Sequence, residues 1–251
     1  MSRQPTMPEI LAAEAIGTFL LVLIGGGAGV AAMLGGAPAG VGLLIAALAH
    51  GLALCVIVNI FGRISGAHVN PAVTIGLASI GRFRWDQVPG YIIAQFVGAF
   101  VAALAIVGVY GTKAVTIAAA SAPSLVKGSS GWEGFLAEIL GAAVLIIAVV
   151  AVAADSRNNL PAGWAGLVIG LALACGIFLA GAVSGAGLNP ALAVSPYLVN
   201  TLFGGHTLFA GEIPIYLFGP PIGGVIAAFA YRYVANFTGG APNISTQRKR
   251  S

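Results

Sequence analysis

Two stretches decide the fold: Ser65–Thr74, SGAHVNPAVT, and Ser184–Ala193, SGAGLNPALA. Both carry Asn-Pro-Ala in nearly matching frames, and each heads an apolar run only about half as long as a bilayer crossing needs. Asn is a strong N-cap, because its side-chain oxygen accepts backbone N–H groups of the first turn. Pro suits the first helical position, where its missing N–H is no loss. Each triplet therefore reads as the start of a short helix. One Asn-Pro-Ala would mean no more than that. Two copies at matching places require an explanation from the architecture around them.

That architecture belongs to a membrane. The chain has 251 residues, of which 59% are hydrophobic and 7% charged, with mean hydropathy +1.00. Soluble domains carry roughly 25% charged residues, so lipid must be the solvent over most of this surface. Six apolar runs are long enough to span, near residues 10–33, 41–61, 88–110, 134–154, 164–182 and 213–235. The expected fold is an all-α membrane protein in one domain, residues 1–251. Trp85, Tyr91, Tyr110, Trp132, Trp164, Tyr197, Tyr231 and Tyr233 gather near span ends and suit an interfacial belt.

Charge sets the expected direction. With the N-terminus inside, one face receives Arg3, Arg63, Arg82, Arg84, Arg157, Arg232, Arg248, Lys249 and Arg250, and the other only Lys113 and Lys127. Positive residues favour the cytoplasm, so both termini are expected there. Short termini and loops suggest a bacterial inner membrane. The net charge of +4 is spread along loops and tail, which fits contact with lipid headgroups rather than nucleic acid. Cys55 and Cys175 sit in apolar runs and read as core residues, not as a disulfide or metal pair. His50, His68 and His206 fall in separate segments, so neither a catalytic cluster, a metal site nor a cofactor is expected.

The halves resemble each other. AEAIGTFLLV (Ala13–Val22) matches AEILGAAVLI (Ala137–Ile146), and GLAL occurs at Gly51–Leu54 and Gly170–Leu173. The repeats run about 8–115 and 132–237, leaving 238–251 as a cytoplasmic tail. Each holds three spans and one short element. Three is odd, so the second repeat enters the membrane inverted, and the short elements descend from opposite faces to meet near the midplane. Small-residue pairs such as Gly166/Gly170, Gly181/Gly185 and Gly219/Gly223 would let spans approach closely.

Two helix starts meeting there bring together two positive dipole ends and the amide NH₂ groups of Asn70 and Asn189. A water oxygen would accept from both amides, while a cation would meet a positive potential. The glycine-rich approaches to each triplet are non-helical backbone at membrane depth, which is tolerated where it lines a wet cavity. Carbonyls of Gly66, Ala67, His68, Gly185 and Gly187 would form a ladder of acceptors. The His68 ring is expected mainly to pack.

These residues resemble the aquaporin or major intrinsic protein family. The triplets Asn70-Pro71-Ala72 and Asn189-Pro190-Ala191, the opening AEAIGTFLLV and the stretch FGPPIGG (Phe218–Gly224) carry the likeness. It implies a right-handed bundle of six transmembrane helices plus two half-helices, a homotetramer with one pore per subunit, and passive flow of water and small neutral solutes. It also implies that Glu14 and Glu138 are buried and hold the pore loops; the alternative is that both reach water near span ends. The family's outer four-residue filter would fall on His50, Ile177, Ala186 and Leu192. The usual filter arginine is absent, and Leu192 stands in its place. Glycerol, urea, peroxide and metalloid-type neutral acids are the expected solutes, and a response to pH is expected through His50. The family's frequent mercurial target corresponds to Ala186, so weak mercury sensitivity is expected. A secondary transporter would also use an inverted repeat with broken helices. It would need membrane-embedded charge at its coupling site, for which only Glu14 and Glu138 are candidates.

Overall fold

The computed structural model describes residues 3–205 and 211–236. His206, Arg248, Lys249, Arg250 and the proposed tail at 238–251 lie outside the described residues. Among the described residues, six helices are long and apolar enough to span a membrane. In the first repeat, α1 (Met7–Leu34) crosses and α2 (Ala39–Phe61) returns; the half-helix α3 (Pro71–Ser79) follows, and α4 (Val88–Tyr110) crosses again after a 3-10 turn at Trp85–Gln87. A five-residue helix, α5 (Thr112–Thr116), opens the connection between repeats. The second repeat supplies α6 (Gly131–Val149), α7 (Trp164–Ser184), the half-helix α8 (Pro190–Leu202) and α9 (Ile213–Val234). A π-helical turn, Val150–Ala154, extends α6.

The repeats begin alike. Glu9 reaches back to the Thr6 N–H at 2.8 Å, and Glu133 to the Ser130 N–H at 2.6 Å, so both first spans open with a reciprocal cap. They pack alike as well. A Cβ added at Gly98 of α4 would sit 2.1 Å from the Ala15 carbonyl of α1; one at Gly223 of α9 would sit 2.1 Å from the Ile139 carbonyl of α6. Where the repeats cross, a Cβ on Gly51 would lie 2.7 Å from the Gly170 carbonyl, and one on Gly170 would lie 2.3 Å from the Gly51 carbonyl. Only glycine lets backbones approach this closely, which replaces the missing hydrophobic drive between helices in lipid.

Apolar side chains cover the outside, with Leu52 63%, Ile93 64% and Val109 71% exposed. Trp85, Trp132, Trp164 and Tyr233 are exposed as an interfacial belt requires. Tyr91 and Tyr197 correct that expectation, since they are 3% and 2% exposed. Their rings fill the interior and their hydroxyls find backbone carbonyls, of Ser65 for Tyr91 and Pro123 for Tyr197. A phenol satisfied by a carbonyl is stable away from the headgroups.

Candidate functional site

Asn70 and Asn189 cap α3 and α8 from extended backbone. The Asn70 oxygen accepts from Ala72 N at 2.8 Å; the Asn189 oxygen accepts from Ala191 N at 3.0 Å and Leu192 N at 3.3 Å. The amide nitrogens do more than face outward. Asn70 Nδ2 donates to the Leu188 carbonyl at 3.0 Å, and Asn189 Nδ2 donates to the Val69 carbonyl at 2.9 Å. Each amide has two hydrogens. One braces the opposite loop, and one is left to donate elsewhere.

Both loops are held from behind by carboxylates. Glu14 accepts from Ser65 Oγ at 2.7 Å, His68 N at 2.9 Å, Val69 N at 2.7 Å and Gln95 Nε2 at 2.8 Å. Glu138 accepts from Ser184 Oγ at 2.6 Å, Gly187 N at 2.8 Å and Leu188 N at 2.6 Å. Both glutamates are 0% exposed, which excludes the alternative that they reach water. A buried carboxyl without a cation needs several donors, and here loop amides and hydroxyls supply them.

These bonds hold an unfavourable backbone. Ala67, Val69, Ala186 and Leu188 have φ of 48°, 43°, 55° and 49°. Left-handed backbone costs a non-glycine residue about 1–2 kcal/mol. At Val69 and Leu188 the N–H goes to a glutamate and the C=O to the opposite asparagine, so both residues are clamped from two sides. Strain so over-determined is characteristic of functional backbone.

Sequence reasoning missed a second layer. Tyr91 Oη donates to the Ser65 carbonyl and Tyr216 Oη to the Ser184 carbonyl, both at 2.6 Å. The signal was present: a serine opens each quoted frame, and the tyrosines stand at corresponding places in the last span of each repeat. The first repeat adds a chain without counterpart. Gln95 Nε2 donates to Thr74 Oγ1 at 3.1 Å, and Thr74 donates to the Asn70 carbonyl at 3.0 Å. Having given its one proton, Thr74 accepts from His68 Nδ1 at 3.2 Å. His68 is thus the Nδ1–H tautomer in its neutral form. Its ring packs on Phe83 and Tyr91, with centroids 4.7 and 5.0 Å away. In the second repeat this position is Gly187, where a Cβ would lie 2.6 Å from the Tyr216 ring.

A cavity of about 680 Å³ runs past both asparagines. His50, Ile177, Ala186 and Leu192 all line it, brought together from α2, α7, the second loop and α8. Gly66, Ala67, His68 and Gly187 line it too. Gly185 does not: it terminates α7 at φ 72° and abuts Ser124, 3.0 Å from where its Cβ would be. Neither cysteine lines the cavity, and Cys175 is exposed on the outside of the bundle.

The cavity reaches Arg63, Arg82, Ala154 and Gly163 at the face where α2 ends. Beside Ala154, Asp155 accepts from Arg157 Nη2 at 2.6 Å and Tyr231 Oη at 3.0 Å, while Arg157 Nη1 donates to the Ala235 carbonyl at 2.9 Å. The Arg157 guanidinium, chiefly through its hydrogen bonding to Asp155, holds that carboxyl well below the usual carboxylate range. This knot ties the α6–α7 connection to the end of α9.

The family model for major intrinsic proteins matches residues 1–231. Aquaporin AqpM of Methanothermobacter marburgensis is 38% identical over 239 residues, covering 89% of this chain and 96% of the relative. The probable aquaporin NIP7-1 of Arabidopsis thaliana is 35% identical, covering 94% of this chain and 80% of the relative. Among solved structures, the aquaglyceroporin from Plasmodium falciparum superposes with TM-score 0.82 at 25% identity, covering 93% of this chain and 99% of that one. Inverted half-helices, paired Asn-Pro-Ala caps and near end-to-end likeness agree: the chain belongs to the major intrinsic protein family.

Proposed function

We propose that this chain is a broad passive channel, carrying water together with small uncharged solutes such as glycerol, urea, peroxide or neutral metalloid acids. Its family and relatives make it a channel for water and small solutes and not an enzyme. One observation carries the breadth: Leu192 N is the second N–H on the Asn189 cap, and its side chain lines the cavity with Ile177, Ala186 and His50. No permanently charged side chain stands among these four. A filter so composed is wider and less polar than one holding an arginine. It gives up strong donors to a polyol, and each unmade bond in a dry pore costs about 1–3 kcal/mol.

Ion exclusion then rests on the centre. The α3 and α8 N-termini bring their positive ends to one place, and the remaining Asn70 and Asn189 hydrogens donate to a passing oxygen. A water accepting from both turns its own hydrogens outward to the loop carbonyls. A coupled transporter finds no support at this site, because Glu14 and Glu138 are fully engaged by the loops they hold.

The excess of basic residues on one side supports a cell-membrane protein with both termini and the Arg63–Arg82 mouth in the cytoplasm, by the positive-inside rule. The family likeness supports a homotetramer, with exposed aliphatics outside the bundle available for contact with lipid and neighbouring copies. Stopped-flow light scattering on proteoliposomes tests the reading. Shrinkage in an impermeant osmolyte, re-swelling in glycerol and urea, and flux linear in solute concentration are expected. Saturation with dependence on an ion gradient would instead establish a transporter.

A further inference from the structure

Two arginines line the cavity at the mouth where α2 ends. Arg63 follows the last turn of α2, and Arg82 follows the half-helix α3. Across from them the lining is small: Ala153 and Ala154 come from the π-turn of α6, and Ala162 and Gly163 from the connection to α7. The opening is therefore concave, roomy and edged with guanidinium groups.

Charge at this mouth is one-sided. Partial burial lowers the Arg82 pKa from its ordinary value; the pull of Asp155 opposes that shift, and the repulsion of Arg232 adds to it. Arg82 shares Asp155 with Arg157, whose Nε and Nη2 donate to that carboxylate at 2.9 and 2.6 Å, and Tyr231 Oη donates to it at 3.0 Å. The other acids on this side are engaged as well, Glu9 by Arg3 and Asp86 by Arg84. Arg63, Arg82, Arg157 and Arg232 thus stand at the mouth with one carboxylate among them. A concave opening lined by one sign of charge concentrates ions of the other sign. The planar fork of a guanidinium matches the oxygens of a phosphate group.

We propose that this mouth is a binding site for a small soluble oxyanion of the phosphate type, inorganic phosphate or a phosphate monoester, whose occupancy narrows the inner end of the pore. The anion takes donors from Arg63 and Arg82 and lies opposite Ala154 and Gly163, in the path of every solute. Dehydrating an ion costs too much for it to follow neutral solutes inward. A soluble anion reaches the cavity by the solutes' own route, whereas a lipid headgroup would have to leave its leaflet. This goes beyond the solute reading, and water serves as the reporter, so breadth need not hold for the test to decide.

The test is water flux by stopped-flow light scattering on phosphatidylcholine vesicles holding the full-length protein. They are prepared in sodium phosphate or in sodium chloride of equal ionic strength, which removes general screening from the comparison. Wild type should run about twofold or more slower in phosphate, with half of the effect reached on the order of 1 mM. Each variant is compared with itself in chloride. Arg63→Gln, at an exposed position, should lose most of the phosphate effect, and Arg82→Gln all of it. Arg82→Lys keeps the charge but not the fork and should fall between. Equal wild-type flux in the two salts would overturn the proposal, as would a phosphate effect that persists in both glutamine variants. Adding anionic phosphatidylglycerol separates the sources. A phosphate effect that survives supports a soluble ligand. Wild-type flux slowed by the lipid alone, with no further response to phosphate, would assign the arginines to headgroups and overturn it.

Discussion

Asn70 donates its side-chain amide to the backbone carbonyl of Leu188 at 3.0 Å, and Asn189 returns the bond to Val69 at 2.9 Å. The two half-helices are thereby fastened to each other's approach loops, not merely placed end to end. Asn70→Asp keeps the shape and the capping oxygen but sets a carboxylate against the Leu188 carbonyl. Loss of the brace should lower stability by about 1–3 kcal/mol, with Asn189→Asp giving a similar loss. Both variants should also admit cations, because the donors and part of the positive potential go together. Melting in detergent and a vesicle cation-leak assay check the pair; unchanged melting in both would remove the brace from the account.

Glu14 and Glu138 should not tolerate even an isosteric amide. In Glu14→Gln the NH₂ replaces an oxygen that accepts two donors, either Ser65 Oγ and His68 N or Val69 N and Gln95 Nε2. Each bond to a charged acceptor is worth about 1.5–3 kcal/mol, so little folded protein is expected. Glu138→Gln removes one of three such donors' acceptors and should be the milder lesion. Yield of a single species on size exclusion reads this, and a normal Glu14→Gln yield would contradict it.

Mercury tests the placement of residue 186. Cys55 and Cys175 do not line the cavity, whereas Ala186 does. Wild-type water flux should therefore change less than about twofold in mercuric chloride, while Ala186→Cys, with a thiol in the pore wall, should be blocked and then restored by a reducing thiol. Block of the wild type would mean that a native cysteine reaches the pore.

Acid should undo the Asp155 knot. Its folded-state value lies below the ordinary one, so its contribution is fully present above the unfolded value near 3.9 and fades as pH falls towards the folded value. Asp155→Asn should melt lower than wild type at pH 7, and the difference should hold to about pH 5 and close below about pH 4. A gap that stays constant to pH 3 would assign the effect to shape, not charge.

Much of this is legible in the sequence. The spans followed from apolar length, and the inversion followed from an odd number of spans in each matching half. Asn70 and Asn189 were readable because N-cap chemistry is local. Tyr91, Tyr216, Ser65, Ser184 and Gln95 were not: their partners are backbone atoms of loops far along the chain, and hydropathy places a tyrosine near a span end at the interface by default. The crossed asparagine bonds were hidden for the same reason. A side chain shows its capping habit in sequence, but not which carbonyl of another segment its second group will meet. Leu192 was the reverse case, where a single unexpected residue beside a familiar triplet carried the functional question.

That question is the one to measure first. Wild type and Leu192→Arg would be compared in proteoliposomes for water, urea and glycerol flux by stopped-flow light scattering. The account predicts that wild type passes all three, and that the arginine variant keeps water flux while urea and glycerol fall by about tenfold or more, as a long charged side chain fills the space beside His50 and Ile177. If wild type passes water alone, or the arginine leaves solute flux unchanged, residue 192 does not set the size limit and the broad-channel account is contradicted.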